Sequence, residues 1–508
     1  MSDVLPPPAS SLPRATAEQT LQRILRNSTL NLIAQGLNAV CNLVVVFALA
    51  RGIGKTALGD YFLVFALIMA VQLLLEGGLS TMLTYRIAHH HDDWKETVAE
   101  AAGLFAVVVL ASAATLLVIG GVWALATGKV VRVTCFALAA CACTAIQVQR
   151  FSAGVFRAFD MFRQENLCRA LQGLAFATAV VALMMLHWLR LETALAALAV
   201  SHALAAAVLL SALQWRWQCL KFRLNRNVAR DWLSHAVPLG LGDVVRGLTW
   251  QLDTLLLGLL QPAAVVGIYS VAYRPLGPLN WLPQAVLTAA FPSFSRLAAR
   301  DPSQLKQAFA DSIRLLWVIS IPIAVAIFMC AEPLIFILAG GDYLEAVRPM
   351  RILIWVSTLS YLSIQFRFLL TALGKQYVFV RLVLLVFAIE LAVEAWLIPS
   401  WGSLGACTGT LIGELIFTLA GLWICRRFDM SAIRWRAMFS AALGGALMAA
   451  LLWFARDAAW PGRLLALTLS VACYFGWCIL FRALRTTEIM HLYASLTGLA
   501  RSIGQRSA

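Results

Sequence analysis

Charge is scarce in this chain: only 13% of its 508 residues are Asp, Glu, Lys or Arg, while 61% are hydrophobic. Soluble domains use roughly 45 to 50% apolar residues, and a water-soluble fold of this length lacks the polar surface to cover so many apolar side chains. Lipid is therefore the expected solvent, in keeping with a mean hydropathy of +0.81. Catalytic signatures are missing as well. No GxxxxGK[ST] phosphate loop, GxSxG elbow, HExxH pair or Gly-rich dinucleotide fingerprint occurs. The longest outside connection, near 339–349, leaves no room for a separate catalytic domain. The chain does not read as an enzyme, and no cofactor is expected. Its eleven cysteines lie mostly inside apolar runs. Cys141 and Cys143, the one close pair, point to different sides of a helix, so they read as small core residues. The run His89, His90, His91, Asp92, Asp93 has metal-ligating types but reads as a solvated turn.

What is abundant is apolar runs of about 20 residues, the length a hydrocarbon core of about 30 Å requires of a helix. Fourteen are expected, near 28–50, 60–84, 98–125, 130–149, 168–188, 193–214, 235–260, 264–292, 312–338, 350–372, 376–398, 404–424, 436–455 and 463–482. The fold class is all-α and polytopic. Alternate connections hold most of the basic residues, among them Arg23, Arg26, Arg86, Lys95, Arg150, Arg157, Arg163, Arg169, Arg223, Arg230, Arg296, Arg300, Arg426 and Arg427. Short cytoplasmic loops carry such an excess, which puts both termini in the cytoplasm. The net charge of +15 then follows from orientation and anionic headgroups, without nucleic acid. Residues 1–27, with Pro6, Pro7, Pro8 and Pro13, read as a cytoplasmic tail and not a cleaved signal. Residues 485–508 read as an amphipathic cytoplasmic helix, since Ile489, Leu492, Tyr493, Leu496, Leu499 and Ile503 share one face.

Polar residues inside the spans form stripes. Asn27, Asn31, Gln35, Asn38 and Asn42 recur every three or four residues, as do Asp243, Arg246, Trp250 and Asp253 in the seventh span. At about 100° per residue each set occupies a narrow arc, expected to line a wet interior. Asp243 and Arg246 form either a packing salt bridge or, for Arg246, part of a cationic patch with Arg274 and Arg367. Guanidinium forks suit phosphate oxygens. Glu390 and Glu394, one turn apart, and Glu414 are candidates for coupling a proton or sodium ion, or for neutralising Arg381; Glu76 belongs to the same acidic set. Pro238, Gly240, Gly242 and Gly247, and then Pro275, Gly277, Pro278, Pro283 and Pro292, mark the seventh and eighth spans as broken, whether as static kinks or as moving parts.

The chain also repeats itself at an offset of about 208 residues. LGDY at 58–61 corresponds to VGIY at 266–269, Gln35 to Asp243 and Asn38 to Arg246. Internal repeats of helix bundles are how many transporters are built. The stretch DTLLLGLLQPAAVVGIYSVAYRPLGPLNWLPQAVLTAAFPSFSRLA from Asp253 to Ala298 resembles the central signature of the polysaccharide flippases of the multidrug/oligosaccharidyl-lipid/polysaccharide exporter superfamily. GGLS at 77–80 and the segment ending GGDYLEAVRPMRIL at 353 resemble its flanking motifs. The resemblance spans roughly 28–425. It implies two pseudo-symmetric six-helix lobes, 28–217 and 230–426, two additional helices within 434–484, and alternating access in a bacterial inner membrane. It implies as cargo a polyprenyl-pyrophosphate-linked oligosaccharide for O-antigen, capsule or exopolysaccharide, with a polysaccharide polymerase and chain-length machinery as partners beside the membrane lipids. A drug or metabolite antiporter of the same superfamily, a peptidoglycan-precursor flippase and a membrane glycosyl-polymerase or ligase are the alternatives.

Overall fold

The computed structural model describes residues 17–89, 93–127, 131–159, 161–218, 221–430 and 433–484, and every regular element among them is helical. Ten of these helices are long and apolar enough to cross a membrane. One of them, Ala34–Glu76, carries two of the fourteen expected spans, and it belongs to the longer helix α1, Ala17–Glu76. The chain turns there at Gly54, whose φ of 77° is a left-handed conformation that glycine adopts without a Cβ clash. Helix α1 begins at Ala17, inside the stretch 1–27 expected as a tail. His90, His91, Asp92, Gly128, Lys129 and residues 485–508 lie outside the described residues, so neither the histidine turn nor the C-terminal amphipathic helix is described.

Three expected spans are not among those ten. They are α7 (Arg226–Leu260), the pair α8 (Ala263–Tyr273) and α9 (Trp281–Arg300), and α13 (Gln376–Trp401). Only one of the two expected interruptions occurs. Between α8 and α9 the chain tightens into a 3-10 helix, Arg274–Asn280, where Pro275 and Pro278 each lack a backbone donor. α7 instead runs unbroken through Pro238. Its glycines serve close packing: a Cβ on Gly240 would lie 2.5 Å from the Cα of Gly78. Many apolar side chains face outward, including Leu110, Leu125, Leu204, Trp396 and Phe454, as expected of a surface solvated by acyl chains.

The chain forms two compact units. The first holds the described residues through Pro278 with Ile337–Ala346 and Phe387–Gly409; the second holds Leu279–Phe336, Val347–Val386 and the described residues from Thr410. At one end of the first unit, the segment joining α6 (Leu191–Trp217) to α7 is strapped down. The Arg223 amide donates to Ala99 O at 3.1 Å, and Gly103 leaves room for the Arg223 carbonyl, which a Cβ would meet at 2.5 Å. Trp232 is fully buried among Trp94, Phe156 and Trp217. Its indole donates to Glu100 at 3.1 Å while Arg86 lies 4.5 Å above its ring. Arg86 also donates to Asp231, and this bond holds the Asp231 carboxyl below the usual carboxylate range. Trp232→Phe removes the indole donor and some buried volume. A loss of about 1–3 kcal/mol is expected, read as an earlier thermal transition of the solubilised protein, with Glu100→Gln milder.

In the second unit, α15 (Trp435–Phe454) and α16 (Trp460–Leu480) pack on α10 (Pro302–Met329). Tyr474 donates to Val318 O at 2.8 Å and Arg314 to Ala483 O at 3.0 Å. The C-terminal pair is thereby fixed by buried polar contacts as well as by apolar surface.

Candidate functional site

Spacing along α7 turns the successive residues of the expected stripe toward different surroundings. Asp243 and Trp250 are exposed and Arg246 is half-buried, whereas Asp253 is 3% exposed. One helix over, the hydroxyl of Tyr269 donates to the Asp253 carboxylate, and the Tyr269 ring stacks on Tyr273 with centroids 5.6 Å apart. From α13, Glu390 and Glu394 reach the same place, so that carboxylate oxygens of Asp253, Glu390 and Glu394 lie within 4.8 Å of one another, all buried. Gly409 makes this approach possible, because a Cβ there would meet the Glu394 Cγ at 2.4 Å. Three carboxylates at such range repel unless a cation or shared protons lie among them. An all-oxygen donor set suits a proton or a hard cation better than a soft metal.

The acidic set is thus regrouped. Asp253, expected beside Arg246, joins Glu390 and Glu394. Glu414 instead accepts from Ser363 within the second unit. Glu76, 2% exposed, is bound by Arg150, whose Nε lies 2.6 Å from its carboxylate. Arg381 lies over the Tyr377 ring at 5.6 Å.

Arg274 caps the C-terminal end of α8 where the 3-10 segment starts. Its guanidinium sits 4.5 Å from the ring centre of Phe62 and 4.9 Å from that of Phe65. The residue is half-buried, and its Nε is hidden from solvent and makes no hydrogen bond. An arginine resting over two phenyl rings is held without its charge being neutralised. The Phe62 and Phe65 shelf was not foreseen from sequence. Its only signal is position, one and four residues beyond Tyr61 of the LGDY motif. Arg246 and Arg367 are also half-buried; Arg246 belongs to the first unit and Arg367 to the second.

Of the N-terminal stripe, Gln35 and Asn38 are half-buried and Asn42 is exposed, while the side chain of Asn31 lies outside the described residues. Asn38 turns toward α5 (Phe162–Met185). Its Oδ1 occupies the space of an absent Cβ at Gly173, 2.1 Å from where that atom would be. Cys141 is exposed and Cys143 buried, on different sides of their helix as expected.

Residues 24–298 match the family described as polysaccharide biosynthesis protein, and residues 247–396 match the MatE family. The chain is 22% identical over 205 residues to a probable low-salt glycan biosynthesis flippase, Agl15, of Haloferax volcanii, across 39% of this chain and 43% of that protein. It spans less than half the length of this curated relative. Among solved structures it is similar to the lipid II flippase MurJ in an inward closed conformation, with a TM-score of 0.74 at 12% identity over 89% of this chain and 98% of the other. It is similar too to an inward-facing multidrug resistance MATE family transporter of the MOP superfamily, with a TM-score of 0.64 at 15% identity over 79% and 98%. Likeness at these identities carries the fold alone.

Proposed function

Because this chain belongs to the polysaccharide biosynthesis protein family, we propose that it flips a polyprenyl-pyrophosphate-linked oligosaccharide from the cytoplasmic to the outer leaflet by alternating access of its two six-helix lobes, for export of a surface polysaccharide. The observation that carries this reading is Arg274, a half-buried cation at the break between α8 and α9 whose Nε has no hydrogen-bond partner and which lies over two aromatic rings. Such a group binds the pyrophosphate, while Arg246 and Arg367 add charge along its path. The prenyl tail stays in lipid. The Asp253, Glu390 and Glu394 cluster couples a sodium ion or proton to the change of state. Both termini lie in the cytoplasm of a bacterial inner membrane, and a polymerase and chain-length machinery receive the cargo.

A second reading has specific support. The MatE match over 247–396 favours efflux of a small cation, driven through the same acidic cluster. The two readings part at Arg274, since a cationic drug gains nothing from a guanidinium. In a host depending on this chain, Arg274→Gln should slow outward movement of lipid-linked sugar about tenfold or more, because a charge-assisted hydrogen bond contributes about 1.5–3 kcal/mol. Arg274→Lys should recover part of it, and Arg246→Ala with Arg367→Ala should add to the deficit. The readout is lipid-linked oligosaccharide accumulating on the inner leaflet. Unchanged export in the Arg246, Arg274 and Arg367 triple alanine variant would refute the cationic path, and loss of drug efflux alone would favour the second reading.

A further inference from the structure

The ends of α1, α4 (Val131–Ala158) and α5 bring three arginines and two glutamates together in the first unit. The carboxylates are hidden, with side chains 3% exposed at Glu76 and 7% at Glu165, whereas Arg150, Arg157 and Arg169 are 45%, 35% and 44% exposed. Glu76 holds Arg150 by Nε at 2.6 Å and by Nη2 at 3.1 Å, and accepts from the Ser80 hydroxyl as well. Glu165 holds Arg169 by Nη2 at 2.6 Å and Arg157 by Nε at 3.4 Å; the same Nε of Arg157 lies 3.3 Å from Ala153 O. Arg157 stands within electrostatic reach of Arg150, Arg169 and both glutamates.

Two features separate this group from a packing clamp. A clamp needs one cation for each carboxylate, and here, among the described residues, three guanidiniums share two. The donors are also used unevenly. Among the described residues, both terminal nitrogens of Arg157, Nη1 of Arg150, and Nε and Nη1 of Arg169 have no protein acceptor. An arginine carries five donors in a fixed fork. With the buried glutamates holding part of each fork, the remaining donors sit on guanidiniums that stay 35–45% exposed. That is the preorganised arrangement that binds phosphate oxygens in pairs.

We propose that Arg150, Arg157 and Arg169 form a second anion site, separate from Arg274, for a phosphate-bearing group. Its chemistry is shared by a lipid phosphate headgroup and by free pyrophosphate. The site lies at the end of the helices that the charge distribution assigns to the cytoplasm, where a phosphorylated lipid meets the protein first. Its use as a loading station rests on the flippase reading; phosphate binding there does not.

The test uses the full chain in nanodiscs of phosphatidylcholine at fixed ionic strength, because exposed charges are screened by salt. Inorganic pyrophosphate is titrated while the thermal midpoint is followed. The midpoint should rise with pyrophosphate, and the half-saturating concentration should increase at least tenfold in Arg157→Gln. Arg157→Lys, which keeps the charge but loses the fork, should fall between, and it replaces Arg157→Gln should that variant fail to fold. Arg163→Gln, which removes an equal charge from an exposed position in the first turn of α5, should bind as the native chain does. In a second arm, part of the phosphatidylcholine is replaced by phosphatidylglycerol or polyprenyl phosphate. A lipid occupant raises the midpoint alone and competes with pyrophosphate, whereas a free anion does not compete. Equal pyrophosphate responses in the native chain and Arg157→Gln, or no response in the native chain, would overturn the proposal. A response lost in Arg274→Gln but kept in Arg157→Gln would overturn it while leaving the Arg274 reading intact.

Discussion

Valine at Gly59 or at Gly267 is expected to leave little folded protein, and alanine at either position to lower the thermal transition sharply. A Cβ on Gly59 would stand 1.7 Å from Ala263 O, and one on Gly267 would stand 2.3 Å from Lys55 O. Both obstacles are backbone, so no rotamer change relieves them, and the second half of α1 must move away from α8. Overpacking a well-packed interface costs about 1–3 kcal/mol or more, and close helix approach through small residues is a main source of stability between helices in lipid. The contact is also symmetric. Lys55 and Ala263 stand 208 residues apart, as do Gly59 and Gly267, so each repeat presents its glycine to the carbonyl four residues earlier in the other copy. An isologous contact of this kind should respond equally to substitution on either side. Fluorescence-detected size exclusion after heating gives the comparison. Gly36→Ala, with nothing within 4 Å of the added atom, should be neutral or slightly stabilising, since glycine inside a helix costs about 0.5–1 kcal/mol relative to alanine. Equal melting of Gly36→Ala and Gly59→Ala would contradict the packing argument.

That contact shows what a sequence discloses and what it withholds. Composition made the all-α membrane fold legible, because apolar runs and charge alternation are local properties. The repeat was legible too, through LGDY and VGIY. That the two motifs touch one another was not, since sequence offset says nothing about which copies meet in space. The break after Tyr273 could be read from Pro275 and Pro278, which remove two donors within one turn, with the pliable Gly277 between them. The expected break at Pro238 was misread: one proline in a long helix sacrifices a single hydrogen bond, and Gly240 serves contact with Gly78. Charges were the least legible. Glu76 finds Arg150 across 74 residues, and Asp253 finds Glu390 and Glu394 across more than a hundred. Helical spacing assigns a residue to a face but cannot name the helix opposite.

Under the coupling role proposed for the acidic cluster, Asp253→Asn should weaken ion binding and uncouple export from it. Asp253, Glu390 and Glu394 hold their carboxylate oxygens within 4.8 Å of one another in a buried place, so whatever neutralises them is bound far more weakly once one charge is gone. A ligand that binds the folded state alone stabilises by RT ln(1 + [L]/Kd), about 2.7 kcal/mol at one hundred times Kd. If the occupant is sodium, the native chain's midpoint should climb with sodium against a choline background, and the climb should flatten in Asp253→Asn and in Glu394→Gln. If the occupant is a proton, sodium and choline should act alike, and ion dependence should appear only when the pH is varied. In either case Asp253→Asn should cut ion-driven export by tenfold or more, while Tyr269→Phe, which removes a hydrogen bond but no charge, should have a smaller effect. Glu414→Gln is the informative contrast. Its carboxylate is engaged by Ser363 in the second unit, so ion dependence should survive its loss. A chain whose ion response is abolished by Glu414→Gln and untouched by Asp253→Asn would place the coupling site with Ser363 instead.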